Sequence, residues 1–180
     1  MKQRSFGDLG FASKRSKRTR KQQFLDEMEV AVPWKRLETR ISPHYHRARN
    51  GRGRPQMPLS AMLRIHFMQQ WFGYSDPTME EALYDIPMLR AFAGLNAFDD
   101  HLPDETTILR FRHLLEKHRL AEAIFDEVQA VLLEHNLLLK QGSVVDATLI
   151  DAPSSTKNTA QLKTLFALCN VWMARHELAI

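Results

Sequence analysis

Hydrophobic residues recur at helical spacing along the chain to about residue 137, after which the period changes. A first helix is predicted over Gln22 to Val30. A second begins at Pro33-Trp34, where proline suits a first helical turn, and ends before Pro43. From Pro58 to Phe72 the residues Leu59, Met62, Leu63, Ile65, Phe67, Met68, Trp71 and Phe72 form an apolar arc too wide for a surface helix. This helix is expected to be central and largely buried, with Gly73 ending it. A punctuated stretch follows, with short helical pieces over Thr78 to Tyr84 and Met88 to Ala93 and a loop from Asn96 to Pro103. The next helix, Asp104 to His118, sets Ile108, Phe111, Leu114 and Leu115 on an apolar face and Thr107, Arg110, His113 and Lys117 on a polar one. Asp104 or the threonines after it can cap that helix, and Glu105 is favourable in its first turn. The spacing suits a helix-turn-helix and equally a helical hairpin inside a bundle. Ile124, Phe125, Val128, Val131 and Leu132 continue the helical period through Ala121 to His135.

Beyond Gln141-Gly142 the period shortens from about 3.6 to 2. Val144 to Ile150 reads as a strand, with Asp146 alone in an apolar run. A buried carboxylate is costly unless a cation or hydrogen-bond donor compensates it, so Asp146 is a candidate metal ligand. Thr159 to Ile180 returns to helical spacing, with Leu162, Leu165, Phe166, Cys169 and Trp172 on one side. The expected organisation is therefore a basic N-terminal arm, short helices and linker over 1–57 and a helical domain over 58–140. A strand-bearing segment over 141–158 and an amphipathic helix over 159–180 follow. The fold class is mainly α.

Charge adds a functional direction. The net +4 conceals an asymmetry: residues 1–55 hold 15 Lys/Arg against 5 Asp/Glu, and residues 56–180 hold 10 against 16. Lys14, Arg15, Lys17, Arg18, Arg20 and Lys21 form one basic block, and Arg47, Arg49, Arg52 and Arg54 another. With Gly51 and Gly53 interleaved, the second block suits an extended arm along a phosphate backbone or in a minor groove; the alternative is a solvated tail. A single cysteine, Cys169, excludes an intramolecular disulfide and a cysteine-based zinc site, which fits a reducing cytoplasm. Glu134, His135 and Asn136 split the longest apolar stretch below the length of a membrane span, and no secretory signal is expected. His44 and His46 lack companion ligands, so a phosphate contact or a solvated loop is favoured over a metal site. His66 is expected to be an ordinary partly buried histidine, and Trp34, Trp71 and Trp172 to be packing residues. Gly51 to Arg54 neither follows a strand nor opens a helix, so no nucleotide-binding loop is expected.

Three motifs in order carry a family resemblance: Ser75-Asp76-Pro77-Thr78-Met79-Glu80-Glu81-Ala82-Leu83-Tyr84, Leu102-Pro103-Asp104-Glu105-Thr106-Thr107-Ile108-Leu109-Arg110-Phe111-Arg112, and Val145-Asp146-Ala147-Thr148. Over residues 5–157 the chain resembles bacterial DDE transposases, more narrowly those of the insertion-sequence-five type. The resemblance implies that the helical region binds the terminal inverted repeats of a mobile element in double-stranded DNA. The contacts would come from the two basic blocks and from Thr107, Arg110, Arg112, His113 and Lys117. It implies that the strand opens an RNase H-like α/β catalytic domain and that Asp146 matches the first acid of a three-acid site. In intact members two Asp and one Glu hold two divalent cations, usually Mg2+, which clamp the attacking and leaving oxygens.

After Asp146 the only carboxylates are Asp151, expected to cap the turn at Pro153-Ser154-Ser155, and Glu177, which lacks the family's spaced Tyr and Lys partners. The tail resembles the family's extreme C-terminus, so Lys157-Asn158 reads as a junction with the catalytic body removed between. The remnant over 141–158 is then expected to be poorly ordered and to bind no Mg2+. By ancestry the chain is expected to be a transposase of the bacterial cytoplasm, catalytically incomplete. The alternatives are a non-cutting competitor of the intact enzyme, acting as a homo-oligomer or mixed oligomer, and the inert product of a decayed reading frame.

Overall fold

The structure, a computed structural model, describes residues 18–45, 56–96, 101–135, 137 and 156–178. Among these the elements are α1 (Arg20–Ala31), α2 (Trp34–Ile41), α3 (Leu59–Phe72), α4 (Asp76–Asp85), α5 (Pro87–Ala93), α6 (Glu105–Lys117), α7 (Leu120–Glu134) and α8 (Thr156–Leu178), with no strand. The chain is thus mainly α in its described part. The strand expected at 144–150 and Asp146 lie outside the described residues, as does most of the segment 141–158. Residues 156–158 differ from expectation: they form the first turn of α8 and not part of a disordered remnant.

Local chemistry sets the helix ends. The Thr19 hydroxyl accepts from the Gln22 amide and opens α1. Ser75 does the same for α4 through the Thr78 amide, so that helix starts at Asp76, ahead of the Thr78 expected from the apolar period. Pro77 sits within its first turn, where a missing N–H goes unfelt. Asp104 caps α6, accepting from the Thr107 amide at 2.7 Å and from the Thr106 hydroxyl at 2.9 Å. Gly73 ends α3 in the left-handed region, φ 65°.

α3 is the centre. Leu63, Ile65, Phe67 and Met68 have no exposed surface, and the helix touches α2, α4, α5, α6 and α8. Trp34 and Trp71 pack as expected: Phe67 lies 5.3 Å from Trp34 and 5.7 Å from Trp71, and Trp71 lies 5.3 Å from Phe24, ring centre to ring centre. His66 is buried in the same helix.

The C-terminal helix corrects the sequence reading. α8 packs on α7 and α1 through Thr164, Ala167, Leu168 and Val171, all buried. Much of the expected apolar stripe faces outward: Phe166 is 52% exposed, Trp172 45% and Met173 65%, and Cys169 is exposed. Close helix packing favours small and medium side chains on the inner side. Trp172 is instead covered by the Arg175 guanidinium, 4.5 Å from its ring, and Arg175 donates to Glu27 of α1 at 2.6 Å. None of the described helices is long and apolar enough to cross a membrane.

One ion-pair network joins α2 to α7. Glu127, 8% exposed, accepts from Arg36 Nε at 2.5 Å and Arg40 Nε at 3.0 Å, and Arg36 also donates to Glu134 at 2.6 Å. Hydrogen bonds from Arg40 and then Arg36 hold the Glu127 carboxyl below its ordinary value. A carboxyl depressed in the fold contributes stability above its unfolded pKa, about 4.3, and loses it as pH falls through the folded value. Glu127→Gln is therefore expected to lower unfolding free energy at pH 7 by roughly 1–3 kcal/mol, read from urea midpoints. The difference from the parent should close as pH drops below about 4; equal midpoints at pH 7 would refute the assignment. Gly73→Ala meets no atom within 4 Å and is expected to cost about 1 kcal/mol through its positive φ alone.

Candidate nucleic-acid interface

α6 is fixed on several sides before any ligand is considered. Ile108, Phe111 and Leu115 are buried and Leu114 half-buried. The helix is capped by Asp104, and the Glu105 amide donates to Glu80 of α4 at 2.7 Å. Arg112 Nη2 donates to Asp76 at 2.7 Å, and the other Asp76 oxygen accepts from Gln69 Nε2 of α3 at 2.9 Å. Asp76 stands in the first turn of α4, where the helix dipole also favours its charge.

The outward side is a row. Thr106, Arg110, His113 and Lys117, spaced by four, three and four residues, are all exposed. Of the residues expected on the polar face, Arg110, His113 and Lys117 are brought together. Thr107 is half-buried, with its amide held by Asp104. Arg112 is half-buried and braced on Asp76, so it connects α6 to α4. Thr106 was not selected from the sequence, although its place one turn before Arg110 signals it. Arg119, exposed just past the row at φ 51°, was also not selected.

The basic blocks divide. Lys21 donates to the Tyr74 hydroxyl at 2.8 Å and lies 4.4 Å from the centre of the Phe72 ring, so its charge is engaged inside the fold. Arg18 pairs with Asp26 at 3.2 Å on the surface, and Arg20 is exposed. Lys14, Arg15, Lys17, Arg47, Arg49, Arg52, Arg54 and the proposed metal ligand Asp146 lie outside the described residues. The residues flanking the second block are described. The Tyr45 hydroxyl donates to the Met57 carbonyl at 2.7 Å, tying together the two ends of 46–56, and the Tyr45 ring meets Phe111 of α6 edge-on at 5.8 Å. His44 stacks on His118 at the end of α6, ring centres 4.5 Å apart. Tyr45 thus links Met57 to α6.

His66 lies under this region. Burial, then the charge of Arg112, lowers its pKa to about 4 against the opposing pull of Asp76, so its ring is neutral at physiological pH. Among the described residues no cluster of three or more His, Cys, Asp or Glu is placed to hold a metal ion.

No solved structure matches the chain. A family model described as Transposase domain (DUF772) matches residues 13–114, from the first basic block into the second half of α6. That span covers more than half of the sequence, and it contains α1 to α5 and the Asp104 cap with Thr106, Arg110 and His113 of the exposed row. The chain belongs to the transposase domain family DUF772.

Proposed function

We propose that the chain is the DNA-recognition part of an insertion-sequence transposase of the insertion-sequence-five type, binding the element's terminal inverted repeats. α4, α5 and α6 act as a helix-turn-helix-like unit with α6 presented to the DNA. The observation that carries this reading is the exposed row Thr106, Arg110, His113 and Lys117 on a helix whose other sides are held by the core, the cap and Asp76. A row of that kind suits a major groove, with Arg110 reading a guanine edge and Lys117 meeting phosphate. The arginines at 47–54, which follow Tyr45 in the sequence, and the block at 14–20 supply backbone or minor-groove contacts.

The test is fluorescence anisotropy with a duplex of the terminal inverted repeat and a scrambled duplex of equal length, across a salt series. Arg110→Ala is expected to weaken repeat binding by about 1–3 kcal/mol without moving the melting temperature. Arg112→Ala is expected to lower affinity and melting temperature together, because it removes the brace on Asp76. Equal affinity for the scrambled duplex would reduce the interaction to charge.

A further inference from the structure

The outer side of α8 carries an apolar seam. Val30, Tyr84 and Leu133 are exposed one to a helix, which is ordinary for a protein surface. On α8 the exposed residues Phe166, Cys169 and Met173 instead follow one another within little more than two turns. With Leu162 ahead of them in the sequence, the steps are four, three and four, the spacing of a coiled-coil seam. Thr164, Ala167, Leu168 and Val171 take the opposite side and are buried, holding α8 on α7 and α1. Trp172 flanks the seam beneath the Arg175 guanidinium.

The distribution of charge along this helix selects what covers the seam. Residues 164–174 include no Lys, Arg, His, Asp or Glu, so the face offers nothing to a polyanion or to a charged peptide. Charge enters at its ends. Lys163 precedes the neutral stretch; after it, Arg175 is held by Glu27 and Glu177 is exposed. Lys163, Asn170 and Glu177 are seven residues apart in sequence and so share one flank of the seam. We propose that this face is the contact between two copies of the chain, with their α8 helices antiparallel about a two-fold axis. A two-fold contact requires a surface complementary to itself, and a neutral seam with opposite charges at its two ends is such a surface. Antiparallel pairing sets Lys163 of each copy against Glu177 of the other and brings Cys169 of one beside Met173 of the other. Parallel pairing would set like charge against like. The seam is short, so the dimer is weak and its population follows concentration. None of these residues belongs to α6, and the inference stands apart from the DNA-binding reading.

The test is sedimentation velocity on the full chain over a concentration series, with melting followed by circular dichroism. The parent is expected to move from monomer to dimer as concentration rises. Met173→Glu should remain monomeric with its melting temperature unchanged, because Met173 is 65% exposed in a single copy. Lys163→Glu should raise the dimer Kd about tenfold, since the two-fold axis repeats the repulsion, and adding Glu177→Lys should restore it. A parent that stays monomeric at every concentration overturns the proposal. In that case a lower melting temperature in Met173→Glu assigns the face to the chain's own residues 138–155, and an unchanged one assigns it to a different protein. A dimer that survives Met173→Glu also overturns the proposal, and a double variant that fails to restore the dimer overturns the antiparallel arrangement.

Discussion

Everything in the described fold answers to the burial of α3. A helix with Leu63, Ile65, Phe67 and Met68 wholly enclosed has no side to give to solvent, so neighbours must cover it all round. α2, α4, α5, α6 and α8 do so directly, and α1 closes over Trp71 through Phe24 and over Arg64 through Glu29. Arg64 shows how tightly the polar fringe is recruited: it stacks 4.5 Å from the Trp34 ring while donating to Glu29 at 2.6 Å. Once α6 is committed to this envelope by Ile108, Phe111 and Leu115, helical geometry leaves the row from Thr106 to Lys117 facing outward. The candidate interface is the side of α6 for which α3 has no use.

The helices were legible in the sequence because their signals are local. Ser75, Asp104 and Gly73 act within a turn of their own positions, and the arc on α3 is wide enough to imply burial whatever the partners. What failed to show were choices made across long separations. Arg112 reads as one more cation on a polar face until Asp76, 36 residues away, takes it. Lys21 reads as part of a basic block until the Tyr74 hydroxyl, 53 residues away, accepts its hydrogen bond. α8 failed differently: apolar residues populate both of its sides, so periodicity could not choose between Ala167-Leu168-Val171 and Phe166-Cys169-Trp172. Close approach chose the side with the smaller residues, a matter of shape that hydropathy does not encode.

These outcomes change the meaning of the charge asymmetry. A first 55 residues with 15 cations against 5 acids suggests a uniform polyanion-binding surface. In the fold, Arg36 and Arg40 are turned to Glu127, and Lys21 to Tyr74. Among the described residues the exposed cationic side chains then include Arg20 of this front segment and Arg110, His113, Lys117 and Arg119 on and just past α6. Internal pairs do for the cations what caps do for helix ends: they fix which groups remain for a ligand.

On the function proposed above, the cations would divide by role. Long-range attraction to a phosphate backbone depends on the number of charges and weakens with salt. Base reading depends on position, because a bidentate contact is lost with displacements of an ångström or less. Arg110 stands on a helix held at its start by Asp104 and Glu80, along its inner side by the core, and beyond its midpoint by the Arg112–Asp76 pair.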